Sequence, residues 1–558
     1  MNVSTLKARF EQLFADAETW RAHWREIRDY LLPTAGAYLT ARSVIDPVER
    51  GGKVRSYIIN NVGESALQIL ASGLHGGLTS PSRPWFRLTL SDLEMAEWLP
   101  ARGWLDDVRD RLLRIFQKSN FYQSIHGVYE EIGAFGTNSM FISESDETVI
   151  RCRMMTTGEA YFSLNSELKA DTCYRLLSMS ARQMVEVFGE DVLPSQVRSV
   201  LERKPETRYL VVHYVGPKAD GEGFDSIYFL HDSEPKVLKK GTFNSLPFVM
   251  ARWRVTGSDI YGRSPGMTSL PDIKQLQRIE KDKLKGLAKV VDPPMVATGQ
   301  LDPAGGNIIP GGVTYILDPA SPDAYRPAYQ VSLDLRSITE ETLRIENRIR
   351  HTFYNDLFLS ILQEEKTMTA REVVERHNEK LLLLGPVLER LQSELLDGVI
   401  ERTLEIAFRQ DLIPPPPDDL AGQELRIEYV SLLAQAQKLT GLNALEQLTN
   451  YTGAVAQMAP EALDRVDPDK LIEVYAETLG VEADVLRDDE EVQDLREERQ
   501  KQAQAAQALQ AAEQAAKATK DLAQAPMGGD SALDRLAPQL TQTVNEAQDA
   551  QGQTGIEG

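Results

Sequence analysis

The sequence predicts a mainly helical α+β protein, and three observations carry that reading. Two long helical patterns, between Tyr261 and His351, repeat apolar residues at three- and four-residue spacing. A third follows Thr369. The interval Ala134–Phe248 instead breaks into short strand-like runs, of which YLVVHYV (Tyr209–Val215) and FDSIYFL (Phe224–Leu230) are the clearest.

Length and composition bound the answer. A chain of 558 residues buries a large core and accommodates roughly two to four domains or subdomains. Its 42% hydrophobic content is ordinary for a globular protein. No window approaches a membrane span, so no membrane anchor is expected. The N-terminal stretch reads as an amphipathic helix and not as a signal peptide. Cys152 and Cys173 are the two cysteines, which excludes a disulfide framework and suits reduced core thiols. The formal net charge is −22, which argues against tight DNA binding but not against a surface that DNA slides past.

Taken in order, Leu6–Leu32 reads as one or two helices with Trp20, Trp24, Ile27 and Tyr30 inward, stopped by Pro33. Ala35–Lys53 reads as a loop and Val54–Ile69 as a helix. The glycines and prolines from Ala71 to Leu88 predict tight turns, ending in a strand at Trp85–Leu90. Leu99–Tyr129 predicts a helix broken near Asn120, and Ala181–Phe188 a helix among the strands.

The centre of the chain is a rod, a knob and a rod. The first rod is expected from Ser269–Pro271–Asp272, where Ser caps and Pro suits the first turn, to the stop at Pro293 and Pro294. Ile273, Leu276, Ile279, Leu284, Leu287 and Val291 share one face. Lys274, Arg278, Lys281, Lys285 and Lys289 share the other, either as a solvated face or as a stripe that meets a phosphate backbone. The second rod carries Leu335, Ile338, Thr342, Ile345 and Ile349 as a narrow seam. Between them lies a Pro/Gly-rich knob with a strand near Val313–Leu317. Such a hairpin has little core of its own and needs partners along its sides.

After the second rod, His351–Lys366 is apolar without a clean period and reads as a packed loop or broken helix. A T-x-x-E capping box at Thr369–Glu372 opens a long helix with His377 on its apolar seam, kinked by Pro386. Pro414–Pro417 reads as a polyproline hinge, and Ile427–Lys438 begins a smaller helical region running to Leu486. Asp484–Glu498 holds eight acids and two arginines. Glu497–Gln524 is an Ala/Gln-rich helix, and Pro526–Gly558 reads as disordered.

Chemistry-bearing motifs are missing. There is no phosphate-binding G-x-x-x-x-G-K-[ST], no H-E-x-x-H, no paired histidine or cysteine ligand spacing and no G-x-S-x-G. No catalytic residue, metal or cofactor is expected.

Three stretches resemble the head-to-tail connector, or portal, proteins of short-tailed (T7-like) tailed bacteriophages. They are SGLHGGLTSPSRPWFRL (Ser72–Leu88), YGRSPGMTSLPDIKQLQRIEKDKLKGLAKVVDPPM (Tyr261–Met295) and MTAREVVERHNEKLLLLGPVLERLQSELL (Met368–Leu396). The resemblance implies a portal fold of wing, helical stem, α/β clip, tunnel loop and helical crown, assembled as a ring of typically twelve copies. It maps the wing to 1–265, the stem helices to 266–291 and 333–351, and the clip to 292–332. The tunnel loop maps to 352–367, the long kinked wing helix and hinge to 368–423, and the crown to 424–486. Residues 487–525 would extend the crown as a barrel, before a tail at 526–558.

The channel-facing candidates are then Lys274, Lys281, Lys285, Lys289, Arg344 and Arg348. The tunnel-loop candidates are His351, Phe353, Tyr354, Asn355, Phe358, Glu364, Glu365 and Lys366. The clip candidates, expected to meet the motor or adaptor, are Gln300, Asp302, Asn307, Asp318 and Asp323. The implied partners are further copies of the chain, double-stranded DNA held weakly and without sequence preference, the large terminase subunit, a tail adaptor, and the major capsid and scaffolding proteins. The implied place is one vertex of the virion capsid, after assembly in the host cytoplasm. Two other classes stay open on the residues alone: a capsid-associated scaffold or tail-adaptor protein without a DNA channel, and an enzyme on an α+β fold.

Overall fold

A computed structural model of the chain describes residues 2–39, 57–92, 98–219, 221–232, 236–298, 312–316, 325–327, 334–362, 384–417, 425–430, 448–456, 465–472 and 489–523, with a few single positions between. They fall into two compact units, Met1–Gly480 and Val481–Gly558. In the second unit the described structure is one helix, Asp489–Ala523. This is the Ala/Gln-rich stretch, whose alanines favour helix without offering a packing face.

The first unit opens with helices Val3–Asp16 and Glu18–Tyr30. They bury Leu6, Phe10, Trp24 and Ile27, and Trp24 Nε1 donates to the Phe135 carbonyl at 3.1 Å. The next helix is Val62–Leu78. It starts later than expected and runs straight through Gly73, Gly76 and Gly77, which the sequence assigned to tight turns. The reason at Gly73 is packing rather than turning. A Cβ there would sit 2.2 Å from Phe358 Cδ1, so the helix accepts a weak helix former to let that ring approach.

Helices Leu99–Lys118 and Phe121–Phe135 meet at Asn120, as expected. Beyond them lie two antiparallel sheets. One has three strands, with Thr137–Ser145 between Val149–Met155 and Phe248–Arg252. The other has five, running Ala160–Leu164, Ala170–Ser180, Arg208–Pro217, Phe224–Leu230 and Val237–Phe243 in chain order. Helix Ala181–Phe188 leaves the second of these through a capping box in which Ser180 and Gln183 exchange hydrogen bonds. Cys152 and Cys173 are free and buried in this region.

Glu131 lies buried between the helices and the three-stranded sheet. Its carboxyl accepts from Thr156 Oγ1 at 2.6 Å, Thr157 N at 2.7 Å, Thr157 Oγ1 at 2.9 Å and Asn138 Nδ2 at 2.9 Å. Burial pushes its pKa up to about 7 against these donors. A raised carboxyl pKa means the folded state holds the extra proton between about pH 4.5 and 7. Its contribution to stability is therefore full below about 4.5 and is lost as pH rises through about 7, on the order of 3 kcal/mol. Urea midpoints measured across that window should fall with rising pH in the native chain and flatten in Glu131→Gln. An unchanged slope in the variant would place the titration elsewhere.

The first rod is Pro265–Val291. It starts several residues before the expected cap at Ser269, because Ser264 caps it through Met267 N at 2.9 Å and Pro265 fills the first turn. Pro271 therefore lies inside the helix. The knob shows three short strands, Met295–Thr298 between parallel Val313–Ile316 and antiparallel Tyr325–Pro327. The second rod, Leu335–Thr352, is capped by Asp334 and packs along the first.

The stretch read as a packed or broken segment contains an ordered helix, Asn355–Leu362. The chain reverses at Tyr354, in the left-handed region at φ 56°, and Phe353, Leu357 and Phe358 are buried in the main core. The capping box at Thr369 and His377 lie outside the described residues. From Leu384 the chain is helical, with Leu384, Leu388, Leu391 and Leu395 buried as the seam predicted. A π turn at Gln392–Leu396 interrupts this helix. The turn presents Glu394 to Arg252, whose Nη2 donates at 2.7 Å and whose backbone N donates at 3.0 Å.

The proline run continues into a strand rather than a helix. Leu425–Tyr429 pairs antiparallel with Phe86–Leu90, from Phe86↔Tyr429 to Leu90↔Leu425. Ile427 thus begins no helical region. Its segment returns to the strand beside Trp85, whose ring stacks on Tyr429.

Candidate functional site

The root of the first rod is built from backbone held closer than side chains allow. Gly136 ends its helix at φ 84°, a left-handed cap that glycine adopts without strain. A Cβ on Gly136 would lie 2.2 Å from the Gly262 carbonyl oxygen, and one on Gly262 would lie 2.3 Å from the Gly136 carbonyl oxygen. Around this contact, Gly262 N donates to Thr137 Oγ1 at 2.6 Å, Trp253 N to Gly136 O at 2.9 Å, and Ser264 Oγ to Ala134 O at 2.7 Å. Gly262 and Ser264 of the YGRSPG stretch therefore fix where the rod leaves the body.

The rods are locked together near that root. Ile273 and Leu276 of the first are buried, as are Thr342, Ile345 and Ile349 of the second. Gln277 grips the turn before Val62, with Oε1 accepting from Ile59 N at 2.7 Å and Asn60 N at 2.9 Å, and Nε2 donating to Asn60 O at 2.8 Å. Asn60 Nδ2 in turn donates to Glu346 Oε1 at 2.9 Å.

Farther out, the same apolar face is uncovered. Leu284, Leu287 and Val291 are 51%, 41% and 77% exposed, and Leu335 on the second rod is 45% exposed. The sequence grouped the first three with Ile273 and Leu276 on one face, and among the described residues that face is covered only near the root.

The six cations chosen as channel-facing separate into two groups. Lys274 is turned to the body, with Nζ 2.8 Å from Glu26 Oε2 and over the Tyr30 ring. Arg348 is paired across the rods with Asp272 at 2.7 Å. Those two secure the rod in its own chain. Lys281 and Lys285 are exposed, Lys289 is half-buried and Arg344 is exposed beside Glu341 at 3.2 Å.

The loop candidates also divide. His351 is exposed at the end of the second rod. Phe353 and Phe358 are core residues, and Asn355 is buried with its amide against the Ala66 and Phe353 carbonyls. Tyr354 is half-buried with its ring 6.2 Å from that of Trp253. Glu364, Glu365 and Lys366 lie outside the described residues, as do Gln300, Asp302, Asn307, Asp318 and Asp323. The sequence reading missed Gln277, Gly136 and Gly262, whose partners are far apart in the chain. Among the described residues there is no group of three His, Cys, Asp or Glu able to hold a metal ion, and no helix is long and apolar enough to cross a membrane.

Residues 3–486 match the family described as bacteriophage head to tail connecting protein. The chain belongs to this family. Its relatives include the probable portal protein of Bordetella phage BPP-1, 37% identical over 494 residues, covering 86% of this chain and 88% of that one. Another is the portal protein of Salmonella phage epsilon15, 36% identical over 539 residues, covering 94% and 96%. A chain in the solved neck of an empty gene transfer agent particle is similar at 13% identity, covering 74% of this chain and 92% of that one, with a TM-score of 0.34. Membership makes this connector a structural part of the virion between head and tail, built on the mainly helical α+β portal fold.

Proposed function

We propose that copies of this connector close into a ring around a channel that passes double-stranded DNA into the capsid and later out of it. The observation that carries this reading is the paired rod: rigidly rooted, locked at its base, and left with an uncovered apolar seam at its outer half. A ring of neighbours covers such a seam on every copy at once, and closed symmetry leaves no end exposed. The rods then form the stem and the three-strand knob forms the clip that meets the large terminase subunit and afterwards the tail adaptor. The lumen candidates narrow to Lys281, Lys285, Lys289 and Arg344, which soften repulsion between an acidic wall and phosphate without gripping it. Within the stretch mapped to the channel-narrowing loop, Phe353, Leu357 and Phe358 are buried in the core, so a lumen role falls to its other residues. Catalysis has no part in this reading, and ATP hydrolysis belongs to the motor.

Light scattering on the purified protein, with negative-stain images of the same fraction, tests it. Rings of about twelve chains with an open centre are expected, and a stable monomer or a ring without a hole would overturn it. Removing Glu497–Gly558 should leave the ring closed, because the rods and the apolar seams lie earlier. Loss of rings in that truncation would assign assembly to the Ala/Gln-rich helix.

A further inference from the structure

Residues of the three-stranded sheet around Thr137–Ser145, of the five-stranded sheet and of helix Ala181–Phe188 line an open cleft of about 960 Å³ that the channel reading does not use. The two sheets touch where Arg175 lies over the Phe141 ring and the Phe141 and His213 ring centres lie 5.5 Å apart. Arg175 is paired with Glu159 at 2.7 Å, both well buried, so the floor is neutral.

The rim is not neutral. Arg151 and Arg153 alternate with buried Ile150 and Cys152 along Val149–Met155, and so both point outward into the cleft. Neither forms an ion pair among the described residues. Burial, and after it the neighbouring Arg175, hold the Arg153 pKa below its ordinary value against the opposing pull of Glu159. On the facing lip, Arg208 donates to the Ser178 carbonyl at 3.1 Å, and Glu186 is paired with Arg182 at 3.1 Å. The walls between are apolar, formed by Met154, Leu177, Val187, Phe188 and Tyr228. Val187 is 44% exposed.

We propose that this cleft binds an acidic peptide segment of a partner protein, with carboxylates on Arg151 and Arg153 and apolar side chains against Val187 and Phe188. Arginine suits this task because its planar fork takes a carboxylate with two parallel hydrogen bonds. The apolar walls and the volume exceed what a lone small anion would fill. Nucleic acid fits less well, because its backbone carries a charge at every nucleotide and brings no aliphatic side chains to the apolar walls. Val149–Met155 is an edge strand, but strand addition is blocked at its centre. Asn120 accepts from Cys152 N at 2.9 Å and donates to Cys152 O at 2.7 Å, occupying the edge as a strand would. Recognition therefore runs through side chains and not through main-chain pairing.

The test is fluorescence anisotropy on the full-length assembled protein with three labelled probes: a ten-residue peptide of alternating aspartate and leucine, its asparagine counterpart, and a ten-nucleotide single-stranded DNA. The acidic peptide should bind tightest and weaken with added salt. The Arg151→Gln/Arg153→Gln variant should lose at least tenfold in affinity with its melting temperature unchanged. Val187→Glu, which keeps both arginines, should also lose binding. Lys281→Gln/Lys285→Gln should bind as the native chain does. No binding, equal binding by the arginine variant, or equal or tighter binding of the neutral peptide or the DNA would overturn the proposal.

Discussion

Gly262→Ala is expected to cost the protein about 3 kcal/mol or more of stability, among the largest effects of any single methyl added to this chain. The new Cβ would meet the Gly136 carbonyl oxygen at 2.3 Å, with the Trp253 backbone nitrogen at 3.1 Å on another side. Neither neighbour is a flexible side chain, so relief requires moving the backbone. That movement would break the hydrogen bonds from Gly262 N to Thr137 and from Trp253 N to Gly136. Gly136→Ala should behave the same way, with the added strain of an L residue at φ 84°. The control is Gly241→Ala, where nothing lies within 4 Å and the change should stay within about 0.5 kcal/mol. Urea midpoints of the three variants check this. A native-like midpoint for Gly262→Ala would mean that the rod's root is softer than the geometry shows.

Leu284→Asp/Leu287→Asp should have the opposite signature, with a protomer that folds normally and does not assemble. Both leucines are about half exposed in the single chain, so folding loses little when they are replaced. If neighbouring copies bury them, each forfeits about 1 kcal/mol per interface, and a desolvated carboxylate costs more. Every interface of a ring carries that penalty. Light scattering should therefore show a shift from ring-sized to protomer-sized particles, while the thermal transition of the protomer stays in place. Rings that persist in the double variant would remove the seam from the assembly argument.

The two variants mark the boundary of what sequence reading reached. Periodicity identified the rods, their apolar face and the strands Tyr209–Val215 and Phe224–Leu230, since such patterns are local and each residue reports on its near neighbours. It misread Ala71–Leu78 as turns because a glycine permits a turn, a helix or a close approach, and only Phe358 arriving from far along the chain selects the third. It misread Ile427 for the same reason, because its strand partner lies near Leu88. The pairing of Lys274 with Glu26 was equally illegible, because the carboxylate belongs to another helix.

By itself, then, the sequence determined the family, the mainly helical α+β class, the paired rods and their amphipathic faces. These follow from spacing and from motif residues adjacent in the chain. The tertiary structure decided where the first rod is rooted, that Lys274 is paired with Glu26, and that Phe353, Leu357 and Phe358 are core. The root, the Lys274–Glu26 pair and the seat of Phe358 on Gly73 each depend on contacts between residues a hundred or more positions apart. Such contacts leave no periodic trace, because a side chain's partner is set by how the layers fold over one another and not by its neighbours in sequence.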